Sequence, residues 1–499
     1  MTILPRSDLK PNTYAYETEP LVTPNGFREY DARWLFGKEI NLLGVEALGL
    51  GLGTYFQERG AIPRVAVGHD FRSYSLSIKQ ALTIGLMRAG CEVIDIGMVT
   101  TPICYFAQFA LDAPCVAMVT ASHNENGWTG VKMGAQRPLT FGPDEMLRLK
   151  EIVLGGKSVT RPGGAFSRVH DIRERYIDAV TRGHRLSRPM RVAVACGNGT
   201  AGAFGPEAIR RIGAEVIEVD CGLDFTFPNY NPNTEDMQML HAMADAVRAH
   251  NADICIGFDG DGDRCGVVDD KGEEIFADKV GVLLARDLSE RDPNARFVVD
   301  VKSTGLFQTD PVLKARGVVT DYWKTGHSYI KRRTAELNAL AGFEKSGHYF
   351  FNPPIGRGYD DGIVAAIAVL EMLDRAGGKK MSELVAGLPH TWGSPTMAPY
   401  CPDESKYTVV DALTKEYQDL KSRGEKLLGQ DIADIITVNG VRVVLEDGTW
   451  GLVRASSNKP SLVVVVESPA SEANMRAIFN DLDTRLANHP EVGEYDQKI

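Results

Sequence analysis

The chain has 499 residues, of which 43% are hydrophobic and 24% charged, and its formal net charge is -11. That length exceeds what one hydrophobic core supports and predicts three or four domains. A balance this acidic argues against broad nucleic-acid binding, which needs a basic footprint, while leaving room for local basic pockets around an anionic ligand.

No apolar run reaches the roughly 18 residues of a membrane span, so no membrane partner is expected. The N-terminal "MTILPRSDLKPNTYAYETEP" lacks the basic and apolar regions of a signal peptide, and the expected address is cytoplasmic. Eight cysteines, at 91, 104, 115, 196, 221, 255, 265 and 401, never form Cys-x-x-Cys. They read as small buried hydrophobes of a reducing compartment.

Three segments look alike. "RVAVGHD" from Arg64, "RVAVACGNG" from Arg191 and "RFVVDVKSTG" from Arg296 are each a β-branched run after an arginine, entering a polar turn. Such long spacing suits repeated α/β domains. After the first, "SLSIKQALTIGLMRAG" predicts a helix closed by Gly90, and "CEVIDIG" a strand. "TPICYFAQFAL" then predicts a helix with proline in its first turn, and "CVAMV" a buried strand. Strands alternating with helices imply crossover units and mixed or parallel sheets covered on both faces. From about residue 389, "TWGSPTMAPYCPDESKY" reads as a linker. Beyond it, "TVNGVRVVLEDGTWGLVRAS" and "SLVVVVES" are strands with Asn-Gly and Asp-Gly hairpin signals. The predicted class is α/β with four domains: related α/β domains with mixed sheets at 1–170, 171–276 and 277–388, and a smaller α+β domain at 389–499.

Four loops carry chemistry. Thr120-Ala121-Ser122-His123-Asn124 follows the strand "CVAMV", where open α/β sheets place ligands. An exposed Ser122 there could act as nucleophile or phosphate carrier, with His123 beside it and Lys132 supplying a cation. "DGDGDR" sets Asp259, Asp261 and Asp263 at alternate positions after an apolar strand, so three carboxylates converge. An EF-hand needs glycine and glutamate where Arg264 and Asp270 stand, and a helix where this loop has a strand. Mg²⁺ suits the loop better, because it combines a few carboxylates with a phosphate oxygen. Ser122 is a candidate to carry that phosphate. The third loop, Glu344-Lys345-Ser346-Gly347-His348, alternates an acid and a hydroxyl that could reach a hydroxylated ligand, with His348 near for proton transfer. Upstream of it stand Gly326 and His327; downstream, Asp360 and Asp361 read as caps of the helix "GIVAAIAVLEMLDRAGG". The fourth loop, Arg454-Ala455-Ser456-Ser457-Asn458-Lys459-Pro460, gathers groups that cradle a phosphate.

In this order and spacing, "TASHN", "DGDGDR", "KTGHS", "SGH" and "RASSNKP" resemble the α-D-phosphohexomutase family, nearest its bacterial phosphomannomutase/phosphoglucomutase branch. The resemblance runs from "GFREYDARW" to the last loop. It implies four domains around a central cleft and two phosphoryl transfers through a bound hexose 1,6-bisphosphate, which serves as intermediate and activator. It implies Ser122 as the phosphoserine, and Mg²⁺ held by Asp259, Asp261, Asp263 and a phosphate oxygen on Ser122. Glu344 and Ser346 match residues that hold sugar hydroxyls, and Gly326 with His327 matches the sugar-orienting loop. Arg454, Ser456 and Asn458 match the grip on the non-reacting phosphate. Tyr30, Arg33, Lys132, Lys302 and His348 fall on further active-site positions, with Arg33, Lys132 and His348 as the general acid/base candidates. Departures include Trp34, Phe71 in "HDFRS", "FPNYNPN", "HNENGWTGVK" and Asn458. The expected partner is a small phosphosugar, and the expected assembly a monomer or small homo-oligomer. A phosphoglucosamine mutase is the near alternative, a metal-dependent sugar phosphatase the distant one, and a non-catalytic sugar-phosphate binder a third.

Overall fold

The three look-alike segments take the same place in three sheets. A computed structural model of the chain describes residues 4–457 and 459–499. The chain divides into two units, the first running to Ala277 and resuming over Ser346–Ser382, the second comprising Asp278–Lys345 and Glu383–Ile499.

In the first unit, β1 (Ala32–Leu35), β2 (Arg64–His69), β3 (Glu92–Met98), β4 (Cys115–Val119), β5 (Trp128–Gly134) and β6 (Ala165–Arg168) form one sheet in the order β1-β5-β4-β2-β3-β6. β2 pairs in parallel with β3 and β4, while β5 runs antiparallel to β4 and β1. A second sheet joins β7 (Arg191–Ala195), β8 (Glu215–Val219), β9 (Ile254–Phe258), β10 (Cys265–Val268) and β11 (Glu274–Ile275) in the order β11-β10-β9-β7-β8. Here β7 is parallel to both neighbours and β10 is antiparallel to β9. In the second unit β12 (Arg296–Asp300) lies between β13 (Val319–Trp323) and β14 (Ala341–Phe343), parallel to both. Each repeated strand is thus flanked by the next two strands of its own repeat, because helical crossovers return the chain in one direction. All five residues of β4, and all five of β9, are buried, as strands covered on both faces require. After β15 (Tyr349–Phe351) the first unit closes with the helix Gly362–Arg375.

The last sheet is antiparallel: β16 (Trp392–Gly393), β17 (Ile432–Ile436), β18 (Val441–Leu445), β19 (Trp450–Ala455) and β20 (Leu462–Ser468), ordered β16-β20-β19-β18-β17. The Asn-Gly and Asp-Gly signals fall at its turns, where Gly440 and Gly448 have positive φ. The stretch read as a linker does more. Trp392–Gly393 pairs with Ser468 and Glu467, Met397 bridges Val464 and Tyr400 bridges Ser461, so it borders β20 as an edge. Edge positions tolerate prolines, which made the segment look unstructured. Within this unit, Glu467 accepts from Trp450 Nε1 at 3.0 Å, Thr304 Oγ1 at 3.0 Å and the Gly305 amide at 2.8 Å. Arg442 lies over the Trp450 ring at 3.6 Å and donates to the carbonyls of Val301 and Ser303. Those contacts fix the turn that carries Lys302.

All eight cysteines are free and buried. Among the described residues, no helix is long and apolar enough to cross a membrane. Of the two acids read as caps, Asp361 is the N-cap. Its Oδ1 accepts from the amides of Ile363 and Val364 at 3.1 Å each, and its carboxylate takes the Tyr176 hydroxyl at 2.8 Å. Burial pushes this carboxyl up to about 7. Asp361→Ala removes the cap and leaves a buried hydroxyl unpaired, so it should cost about 2–4 kcal/mol in urea unfolding, whereas Asp361→Asn should cost about 1 kcal/mol or less.

Candidate active site

The first loop is built at the carboxyl end of β4. Ser122 was expected to be exposed; instead it is 2% exposed. Its φ of 53° puts a non-glycine residue in the left-handed region, a strain that persists only where the surroundings over-determine it. The Ser122 amide donates to Thr120 Oγ1 at 2.9 Å, and the Ala121 amide to Asp70 Oδ2 at 3.3 Å. Arg72 donates to the carbonyls of Ser122, Asn124 and Glu125. The Ser122 hydroxyl lies 3.2 Å from His123 Nδ1 and 3.4 Å from Asp259 Oδ2. Burial, followed by the charges of Arg264 and Arg33, holds the His123 imidazole well below its usual pKa, so it stays neutral beside the serine.

The second loop connects β9 to β10 and turns back beside the first. A Cβ on Gly260 would stand 2.6 Å from the Ser122 carbonyl oxygen, so only glycine lets the two loops touch. Asp259, Asp261 and Asp263 are all fully buried, and their ligand atoms lie within 4.8 Å of one another. Such proximity costs a few kcal/mol per pair at an effective dielectric of about 20 unless positive charge intervenes. Burial and then repulsion from Asp261 push Asp259 up to about 8, and the same two causes raise Asp263. Asp261 is held down to about 2: burial opposes this, but the Lys132 ammonium and the Thr101 hydroxyl outweigh it. Lys132, from β5, lies 2.8 Å from Asp261 Oδ2 and also bonds Asp263. Burial works against the charge on Lys132, yet the two carboxylates raise its pKa above the usual value. The Oδ1 atoms of Asp261 and Asp263 are buried without a hydrogen-bond partner. Two such acceptors in a buried, repulsive cluster fit a hard divalent cation with oxygen ligands.

Arg33, from β1, donates to Asp31 and, through Nη1, to the Ala121 carbonyl and Asn124 Oδ1 at 3.2 Å each. Tyr30 is buried three positions earlier. His348 approaches from the resumed segment, its Nε2 accepting from Arg264 Nε at 3.0 Å. Its Nδ1 lies 3.0 Å from Asp360 Oδ2 and 3.7 Å from Asp263 Oδ1. In the neutral ring the Nδ1 proton therefore faces Asp360. Burial lowers the proton affinity of His348, but Asp263 and Asp360 outweigh it and the net shift is upward. Asp360 is the residue that sequence reasoning misassigned. A helix needs one capping carboxylate, which is Asp361, and the extra acid before it in "YDDG" was the signal that another partner was waiting. Asp263, His348 and Asp360 form a second group with ligand atoms within 4.8 Å. Asp70 and Arg72 were also missed; their signal was a charged pair directly after the first repeated strand.

The remaining expected residues belong to the second unit, apart from Ser346, which precedes His348 in the first. Glu344 follows β14, is 1% exposed, and accepts the Gly326 amide at 2.6 Å. His327 begins the helix His327–Glu336 after Gly326. Thr325 is held by Asp300 Oδ2 and Asn439 Oδ1, and the Lys345 amide donates to Asp300 Oδ1. Lys302 is buried on the turn after β12. Arg454 is next to last in β19, donating to the Ala455 carbonyl at 2.9 Å, and Ser456 Oγ accepts the Lys459 amide at 3.2 Å. Lys406 ties that turn together through the carbonyls of Ser456 and Lys459. Asn458 lies outside the described residues.

Titration calorimetry with Mn²⁺ should find a divalent-ion site that Asp263→Asn weakens by about a hundredfold, at or above the loss usual for even an outer-shell change. Unchanged affinity would remove the cluster from consideration as a metal site.

With this geometry in view, family models match along the chain: phosphoglucomutase/phosphomannomutase alpha/beta/alpha domain I over residues 24–159, domain II over 174–272, domain III over 276–392, and the C-terminal domain over 401–485. A phosphomannomutase/phosphoglucomutase of Pseudomonas putida is 33% identical over 94% of this chain and 96% of that protein. A phosphoglucomutase of Neisseria gonorrhoeae is 32% identical over 94% of this chain and 98% of its own length. The crystal structure of a phosphoglucomutase/phosphomannomutase family protein from Burkholderia thailandensis superposes with a TM-score of 0.84 at 29% identity, covering 95% of this chain and 99% of that one. The chain belongs to the α-D-phosphohexomutase family, in its bacterial phosphomannomutase/phosphoglucomutase branch, whose members are phosphoryl-transferring isomerases.

Proposed function

We propose that this chain interconverts the 1- and 6-phosphates of mannose, glucose or both, with Ser122 as phosphate carrier and a hexose 1,6-bisphosphate as intermediate and activator. The observation that carries this reading is the strained, buried Ser122 hydroxyl 3.4 Å from one carboxylate of a three-aspartate cluster. The names of its relatives supply the sugar class. The segments divided at residues 170, 276 and 388 are the proposed domains.

Asp259, Asp261 and Asp263, with a phosphate oxygen on Ser122, would hold Mg²⁺, which when bound neutralises charge on the transferring phosphoryl group. Arg33 and Lys132 stay cationic and line the path of that group, where fixed charge stabilises the transfer. Of the three acid/base candidates, His348 is assigned to take the proton of the accepting sugar hydroxyl: Asp360 orients its ring through Nδ1, and Nε2 becomes the base once Arg264, which donates to it here, gives way to the substrate. His123 remains neutral beside the serine. Glu344 and Ser346 are assigned to the sugar hydroxyls, and Arg454, Ser456 and Asn458 to the phosphate that is not reacting. Tyr30, Lys302, Gly326 and His327 complete the substrate set. The phosphate at the far end of the bisphosphate returns to Ser122 after the intermediate turns over. Free, buried cysteines support a reducing, cytoplasmic address.

Intact-mass measurement of the purified chain should show a gain of about one phosphate that disappears with excess sugar, and Ser122→Ala should lose at least about a thousandfold in turnover. Mannose, glucose and glucosamine 1-phosphates should be compared as substrates; a dominant glucosamine activity would replace this assignment. Stoichiometric free phosphate without isomerised sugar would make the chain a phosphatase.

A further inference from the structure

We propose that Arg72, fixed by Asp70, is a positioning residue that sets the backbone of the Ser122 loop for phosphoryl transfer. The inference rests on reading Ser122 as the carrier. A left-handed φ at a serine is disfavoured, so something must hold it. One guanidinium gathers the loop's carbonyls: Arg72 Nη2 donates to Ser122 at 3.0 Å and to Asn124 at 2.6 Å, and Nη1 to Glu125 at 3.1 Å. On the other side of Ser122, Asp70 Oδ2 accepts the Ala121 amide at 3.3 Å and the Arg72 Nε at 3.2 Å. Asp70 Oδ1 takes the Ser75 hydroxyl at 2.5 Å, so the acid is anchored to the helix Ser75–Arg88. Donor and acceptor thus grip the loop before and after the reacting residue, and both are almost wholly buried.

The grip has a cover. The Phe227 ring lies 5.4 Å from the Arg72 guanidinium, and the Phe225 ring 6.2 Å from Phe71. Asn126 donates to the Phe225 carbonyl, and Asn231 donates to the His123 carbonyl. Phe71 and the segment "FPNYNPN" are therefore the parts that close over Arg72. A rigid, planar five-donor fork suits this task; an ammonium offers three donors from a single point on a flexible stem and cannot hold carbonyls this spread in one fixed geometry. Without the fork the loop relaxes, and a displacement of about 1 Å of the reacting oxygen costs about a hundredfold in rate.

The test uses the full-length Arg72→Met and Arg72→Lys variants. Lys79→Met serves as control, since it breaks the buried Lys79–Asp95 pair without touching the loop. Steady-state turnover of glucose 1-phosphate gives kcat and KM, and rapid-quench intact mass gives the rate of Ser122 phosphorylation by glucose 1,6-bisphosphate. Arg72→Met should lose about a hundredfold in both rates with KM changed by no more than about threefold, and Arg72→Lys about tenfold. Lys79→Met should keep kcat within about twofold. Equal losses in Arg72→Met and Lys79→Met, or an effect on KM alone, would overturn the inference. Should Arg72→Met not fold, Arg72→Lys decides: an unchanged phosphorylation rate sinks the idea. Wild-type chain that takes no phosphate on Ser122 defeats the carrier reading itself. Wild type and Arg72→Lys phosphorylated at one rate defeat only the role of Arg72.

Discussion

Three aspartates share a buried volume only a few ångströms across, and the first unit is arranged around making that tolerable. Lys132 comes from the neighbouring sheet to neutralise two of them, and the Thr101 hydroxyl bonds one. Arg264 and His348 approach from another side. Groups that repel when bare become a strong cation trap once their remaining lone pairs face a common point. The same charge balance sets protonation nearby: His123 is kept neutral among cations, whereas His348 is drawn toward the proton by acids. Two histidines in one site are thereby given opposite dispositions by their neighbours.

The backbone is adapted to that cluster. Gly260 is bare so that the Ser122 carbonyl can pass, and Ser122 takes a conformation that side-chain residues avoid. Neither device is stable alone. They persist because Asp70, Arg72 and Thr120 hold the serine loop while the β9–β10 connection holds the aspartates. Strain at Ser122, balanced by hydrogen bonds farther out, gives a loop whose geometry the chain itself fixes.

Much of this was legible in the residues. The arginine-led β-branched runs marked β2, β7 and β12, because a buried parallel strand admits few alternatives in composition. The Gly-Asp alternation marked the acid cluster, but the carboxylates converge because the chain turns between β9 and β10, with Gly262 at a φ of 73°, and not because the stretch is extended. Asn439-Gly440 and Asp447-Gly448 marked their hairpins through the positive φ that glycine allows. What escaped depended on partners distant in sequence. Asp360 looks like a cap until His348 stands beside it, and nothing local shows that Ser122 is buried. The proline-rich border of β20 hid its pairing, since an edge leaves half its backbone groups unused. Arg72 reads as an ordinary turn residue because its three acceptors lie some fifty positions away.

The threefold repetition has a consequence for how such a chain came to do chemistry. In each repeat the strand after the second crossover ends in a loop with a candidate site residue: β4 delivers Ser122, β9 delivers the three aspartates, and β14 delivers Glu344. One architectural address, occupied three times, supplies a buried serine, an acid cluster and a buried acid that receives a backbone amide. The scaffold dictates where a functional group appears, and a handful of side chains dictates what it is. Each repeat therefore keeps the strand and differs at the tip, so a substitution in the loop changes the chemistry offered without disturbing the sheet beneath it.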